Sequence, residues 1–377
     1  MKIISHFLRK LIQRKEVSIE SAAETKTVFH EDIASVEHPI YFEDENLNRI
    51  PEKIPKHIRN IEFWGDRSRN TVKKYLIQGS TELDKSIIYK LNDVLLTKNA
   101  LYCGHYRHAI SFPPRKDYLL PAEYRQIDHG VLAHNFFSTR FWGHWLMSEL
   151  PMQVQLQKEG PLIGNSLRTP YRDEQSWRDI LELPGINRAP VWRINSLVMC
   201  DPLAMDPLII KGWYSIREKV LSGQKTKKLV YIKRDQTGQQ RSLTNEEELL
   251  RRLDESGFSC IDISKINGDA LINALSGADV VIGVEGSHMD PAMYSVKDGG
   301  SLIILQPPGR VSLNTVTNSS ICGVHSAVYI CNQKEDFFKF EVDIENFLHF
   351  VDRVVKRAGQ LSQHMADRTN SLKEKLS

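Results

Sequence analysis

Three stretches of this sequence combine residue types that can do chemistry. VVIGVEGSH, residues 280–288, runs from an apolar strand-like segment into Gly283, Val284, Glu285, Gly286, Ser287 and His288. In open α/β sheets, ligands sit beyond the carboxyl ends of the strands. The first turn of a following helix offers unpaired N–H groups and a positive dipole end. The glycines allow close backbone approach. Glu285 suits a sugar or ribose hydroxyl, and Ser287 and His288 suit a phosphate. The loop is neither a Walker A loop nor G-x-G-x-x-G. Its plain alternative is a strand-to-helix turn with Ser287 as N-cap.

The second stretch is YIKRDQTGQQRSLTNEE, residues 231–247. Lys233 and Arg234 close a strand-like run, and Arg241 follows across a Gly- and Gln-rich loop. Arginine binds phosphate as a fork and lysine as a point charge, so the three suit a diphosphate. Their alternative is a solvated loop. The third stretch is FWGHWLMSELP, residues 141–151. His144 can transfer protons near neutral pH, with Glu149 as a second choice. Trp142 and Trp145 can hold a sugar face by apolar stacking. The alternative here is a core histidine satisfied by a backbone carbonyl. His105, His108, His129, His134 and His144, with Asp128, form a rival constellation, but H-x-x-H lacks the i, i+4 spacing of a zinc helix.

These residues need elements to position them. From about residue 205 short apolar runs alternate with helical patterns. KKLVYIKR (227–234), FSCIDIS (258–264), DVVIGV (279–284), GSLIILQ (300–306) and SAVYIC (326–331) read as strands. NEEELLRRLDESG (245–257), DALINALSGA (269–278) and SHMDPAMYSV (287–296) read as helices, the first with a Thr244/Glu247 capping box and Gly257 as its stop. Such alternation implies βαβ units, and apolar runs without period 2 imply a parallel sheet covered on both faces. This part is a Rossmann-like lobe. Upstream, residues 90–104 read as strands about a turn and 130–137 as a buried strand. A helix follows Trp145, with Pro151 at a kink or a start, and residues 172–183 form another. The organisation is therefore a lead-in over 1–56, an N-terminal lobe over 57–204, a Rossmann-like lobe over 205–343 and a helical tail over 344–377.

Composition excludes several classes. The 377 residues hold 41% AVILMFWYC and 21 glycines, enough for a packed core. Fifty basic against 47 acidic residues give +3, too balanced to indicate nucleic acid. Five cysteines without a C-x-x-C pair argue against a disulfide framework or thiolate zinc site, and a reducing cytoplasm fits them. No apolar run is long enough to span a bilayer. In MKIISHFLRKLI, Ile3, Ile4, Phe7, Leu8, Leu11 and Ile12 share one half of a helix opposite Lys2, His6, Arg9 and Lys10. Such a helix lies on an anionic membrane surface or packs on protein.

GHWLMSELP, YIKRDQTGQQRSLTNEEEL and ADVVIGVEGSHMDPAMYSVKDGGSLIIL, in this order, resemble the family 61 glycosyltransferases over roughly residues 130–310. The family includes bacterial capsule and lipopolysaccharide enzymes. Its loop usually carries His where this chain has Glu285, which leaves the donor open. The resemblance implies an inverting transferase of the GT-B type, with two Rossmann-like lobes, a nucleotide-sugar donor and an oligo- or polysaccharide acceptor. It implies no cofactor and no metal. His144 or Glu149 would then be the base. Lys233, Arg234, Arg241, Gly283, Glu285, Gly286, Ser287 and His288 would hold the donor, and Trp142 and Trp145 the acceptor. The expected place is the cytoplasm, peripheral at the inner membrane face. A non-catalytic sugar- or nucleotide-binding scaffold and a histidine-based metal hydrolase are the rival readings.

Overall fold

The computed structural model describes residues 23–29, 33–52, 68–104, 106–111, 115, 117, 123–134, 136–165, 170–200, 205–222, 228–234, 241–334 and 339–376. The amphipathic segment 2–12 and His105 lie outside these residues. The chain divides into two compact units. The first comprises Met1–Ala34, Leu83–Ile216 and Leu376–Ser377, and the second Ser35–Glu82 and Arg217–Lys375.

In the second unit six strands run parallel, in the order Ser259–Asp262, Leu229–Lys233, Ala278–Val284, Val296–Gln306, His325–Ile330 and Ile40–Tyr41. Numbering the five strands of residues 229–330 along the chain gives the order 2-1-3-4-5, so the winding reverses between Leu229–Lys233 and Ala278–Val284. Alternate residues feed two cores. Val230, Ile232, Val281, Leu302, Ile304 and Val328 face one side, with Leu271 and Leu275 of the helix Gly268–Leu275. Tyr231, Val280, Ile282, Val284, Ile303 and Leu305 face the other. There they meet Leu249 and Leu253 of the helix Glu246–Glu255, and Phe347, Phe350 and Val354 of the helix Ile344–Leu376. Both faces are covered, as the continuous apolar runs require.

The sixth strand has only two residues, too few for any sequence period. The helix Arg69–Gln78 buries Val72 and Leu76 in the same core, so residues read from sequence as part of the first lobe belong to the second unit. Residues 207–216, in turn, belong to the first. Two local readings change. Thr244 does not cap: its hydroxyl donates to Phe340 O at 3.2 Å, and Asn245 exchanges side-chain bonds with the backbone of Val342. Pairing of Ser242–Leu243 with Lys339–Glu341 takes up that turn. Gly257 does end the helix, at φ 83°.

The described residues of the first unit form a mainly antiparallel sheet, which differs from the parallel sheet expected of a second Rossmann-like lobe. The main sheet of this unit runs Tyr106–Ala109, Ala100–Cys103, Ser86–Leu96, Trp192–Cys200 and Arg125–Ala133, with Thr25–Phe29 also pairing with Ser86–Leu96. Among the described strands of that sheet, only Trp192–Cys200 and Arg125–Ala133 pair in parallel. The reason is loop length: Leu96 and Ala100 are joined by three residues, which allows a hairpin but no crossover.

The segment carrying His144 changes geometry along its length. An α-helical turn, Trp142–His144, leads into a π-helical turn, Trp145–Glu149, and then the α-helix Leu150–Leu156. Leu150 N–H reaches back five residues to Trp145 O. Pro151 has no N–H to give the preceding turn, and Trp213 Nε1–H donates to Met147 O at 2.7 Å instead. Trp213→Phe removes that donor, and urea unfolding should show a loss of about 0.5–1.5 kcal/mol. Unchanged stability would mean that Met147 O finds another donor.

Candidate functional site

The strand Ala278–Val284 ends at Glu285, and Gly286 turns the chain at φ 151°, ψ 164°. That φ disfavours any residue with a Cβ. A Cβ at Gly286 would stand 2.7 Å from Arg241 Nη1, and Arg234 Nη1 is closer still. Both guanidiniums converge on one backbone group: Arg234 Nη1 donates to Glu285 O at 3.1 Å and Arg241 Nη1 at 2.7 Å. Arg241 Nη1 also lies 3.0 Å from Glu285 Oε2. Arg234 follows the strand Leu229–Lys233, so the cluster occupies the carboxyl edge where the winding reverses. That switch point is where open α/β sheets bind ligands.

The cluster is shielded. Burial pushes Arg241 down to about 10, while Glu285 pulls it up and Arg310 and Arg234 push it down further. Burial lowers Arg310 as well. Among the described residues His288 Nε2 has no hydrogen-bond partner and is closed off from solvent, and burial with the charges of Arg234 and Arg241 holds its pKa well below the histidine range. Its ring is therefore neutral at physiological pH. Asp290, fully enclosed, accepts from Thr315 Oγ1 at 2.7 Å, and burial raises its pKa to about 8.

The sequence-predicted donor residues separate into groups. Arg234, Arg241, Glu285, Gly286 and His288 come together. Lys233 is felt electrostatically by Glu246 and Cys260 instead, because successive strand residues point to opposite faces. Gly283 faces the interior, where a Cβ would collide with Met289, so its place is one of packing and not of ligand contact. Ser287 is exposed. The expected helix 287–296 is a 3-10 turn, Ser287–Met289, followed by six residues, Asp290–Ser295, too short to supply the dipole anticipated. Arg310 was not anticipated. It follows Val296–Gln306 on a loop pinned by Gln306, whose amide donates to Arg310 O and whose Oε1 accepts from Ser312 N at 3.2 Å. The sequence signal was Pro-Pro-Gly-Arg directly after a buried strand.

In the first unit, His144 reaches solvent beside the rings of Phe137 at 5.1 Å and Phe141 at 6.0 Å. Desolvation lowers its pKa, so the neutral, proton-accepting form prevails near pH 7. Glu149 is a different matter. It is buried, accepts from Ser138 Oγ and from Gln153 Nε2 at 3.1 Å, and lies 3.7 Å from His134 Nδ1. Gln153 in turn accepts from Arg178 at 2.6 Å. Glu149 is thus tied into an interior network. Trp145 is 0% exposed and packs on Tyr171 at 5.9 Å, so it cannot stack on a sugar. The π-helical turn rotates it inward. Trp142 is half-buried, and Phe141 is the exposed ring. Of the other histidines, His129 and His134 engage the backbone carbonyls of Glu159 and Ile110. Among the described residues no group of three His, Cys, Asp or Glu is placed to hold a metal ion.

A parallel α/β unit with cations converging at its switch point offers an edge of a kind that suits an anionic ligand. Residues 142–303 match the family model Glycosyltransferase 61, so this part of the chain is similar to that family of transferases. No curated protein matches it. The match takes in His144, Arg234, Arg241 and Gly286, while Arg310 lies beyond it. Among the described residues no helix is long and apolar enough to cross a membrane.

Asp290 generates a test of the buried site. Its carboxyl rises from 3.8 to about 8 on folding, so the neutral form's contribution to stability is fully present below 3.8 and is lost as pH rises through about 8. Asp290→Asn keeps the acceptor for Thr315 and cannot ionise. Its thermal midpoint should gain steadily on the wild type between those two pH values. Parallel curves would show that Asp290 ionises normally.

Proposed function

We propose that the protein transfers a sugar from a nucleoside-diphosphate sugar to a carbohydrate acceptor with inversion and without a metal, in bacterial surface polysaccharide synthesis. The observation that carries the donor half is the convergence of Arg234 and Arg241 on Glu285 O beside Gly286, at the switch point. In the step itself, the acceptor oxygen forms its bond to the anomeric carbon. The bond from that carbon to the diphosphate oxygen breaks on the opposite face, and the diphosphate leaves with the electron pair. His144 takes the acceptor proton. Arg234, Arg241 and Arg310 stabilise charge growing on the diphosphate, aided by the low polarity around them. Phe141 and Trp142 offer apolar ring surface to the acceptor. The segment 2–12, with Lys2, Arg9 and Lys10 among apolar residues, would hold the protein peripherally on an anionic membrane at the cytoplasmic face.

Thermal-shift measurements against nucleoside diphosphates test the donor half, since a ligand that binds only the folded state raises its stability. Stabilisation should persist in chelator. Arg241→Ala should weaken binding about ten- to a hundredfold, the size of a lost charge-assisted contact. No shift with any common nucleoside diphosphate would remove the proposal.

His144 is tested separately. His144→Ala and His144→Asn should each lower sugar transfer by roughly 10²–10⁴-fold, the usual contribution of a general base, with donor affinity near normal. Full activity of the Asn variant would leave His144 a hydrogen-bonding role only. Circular dichroism on the same samples separates lost chemistry from lost folding.

A further inference from the structure

Among the described residues, Arg241 Nε, Glu285 Oε2 and His288 Nε2 around Gly286 are shielded polar atoms with no hydrogen-bond partner. Buried groups left so are rare in native proteins, and each calls for an explanation. The Arg241–Glu285 pair explains part of it. The side chains are 6% and 9% exposed, and Arg241 Nη1 stands 3.0 Å from Glu285 Oε2, yet the contact is not aligned as a hydrogen bond. Arg241 directs that nitrogen to Glu285's own carbonyl, at 2.7 Å. The pair is therefore not the two-pronged fork that makes arginine–carboxylate contacts strong. It is a charge contact that leaves donor capacity unused on the guanidinium.

Resting on the reading of this edge as the diphosphate site, we propose that Glu285 is an internal counter-anion. It occupies the guanidinium of Arg241 until phosphate arrives and is displaced by it, and so it sets how strongly the site takes phosphate. A buried arginine without a counter-charge is strongly unfavourable, and Glu285 supplies that charge from the adjoining turn. The arrangement also opposes phosphate: an incoming diphosphate meets a carboxylate next to the arginine it must bind. Only a ligand with enough phosphate charge, or with further contacts to its nucleoside and sugar, overcomes that repulsion. Glu285 is then a specificity-determining residue and not a hydroxyl acceptor.

Calorimetric titration of the full chain with inorganic pyrophosphate tests this, because the probe has phosphate charge and no sugar hydroxyl. Glu285→Gln should bind pyrophosphate about tenfold more tightly than the wild type, or better, and adding Arg241→Gln should abolish the gain. Unchanged or weaker pyrophosphate binding by Glu285→Gln would overturn the proposal, leaving Glu285 to orient Arg241 or to accept a hydroxyl. Should the substitution lower the melting midpoint, pyrophosphate must raise that midpoint by more in the variant than in the wild type; equal increments overturn the idea as well. A nucleoside diphosphate titrated alongside keeps the two readings apart. If pyrophosphate gains and no nucleoside diphosphate binds either form, the donor assignment fails while the counter-anion stands.

Discussion

A guanidinium kept out of water beside a carboxylate is the contact on which this structure's candidate site depends. Arg241 and Glu285 are nearly fully enclosed, and either alone would be a buried charge without compensation. Their closeness requires the chain to turn immediately after Glu285. The φ of 151° at Gly286 disfavours any residue with a Cβ, and two arginine side chains press against its backbone. The pair, the glycine and the neutral His288 thus form one electrostatic unit, in which moving any member changes the charge balance felt by the others.

The sheet makes that unit possible. Val284 and Lys233 end neighbouring parallel strands, so Glu285 and Arg234 leave the sheet side by side. Two apolar layers clamp the strands, one built on Leu271 and Leu275, the other on Leu249, Phe347 and Phe350. Close-packed layers allow little give, so the positions at the strand ends are fixed before any ligand binds. Preorganised charge of this kind favours a leaving group without reorganising during reaction.

The first unit solves a similar positioning problem by a different route. A π-helical turn forced around Pro151 rotates Trp145 and Glu149 inward and leaves His144 and Phe141 outward. Trp213 and the Ser138–Glu149–Gln153–Arg178 network satisfy the polar groups that this distortion exposes. The irregular turn leaves His144 exposed on a rigid base. Glu149 belongs to that base, and this explains why a carboxylate so close in sequence to His144 has no freedom to meet a substrate.

The sequence by itself determined the parallel unit. Its five strands of residues 229–330, its helices Glu246–Glu255 and Gly268–Leu275 and the stop at Gly257 follow from apolar runs, helical periodicity and turn residues, all of which are local. It also marked Arg234, Arg241, Gly286 and His288, because strand ends followed by glycine and cations are visible as text. Tertiary structure decided what depends on distant partners. The two-residue strand Ile40–Tyr41 exists only because His325–Ile330 offers an edge. Thr244 turns from cap to cross-link because Phe340 lies beside it. Trp142 and Trp145 look equivalent along the chain, yet one is half-buried and the other fully buried, since the π-turn shifts the helical phase between them. Glu285 carries no sign in the sequence that its charge belongs to Arg241, 44 residues away. Burial and charge pairing are properties of three-dimensional neighbourhoods, and a residue's type and spacing cannot specify them.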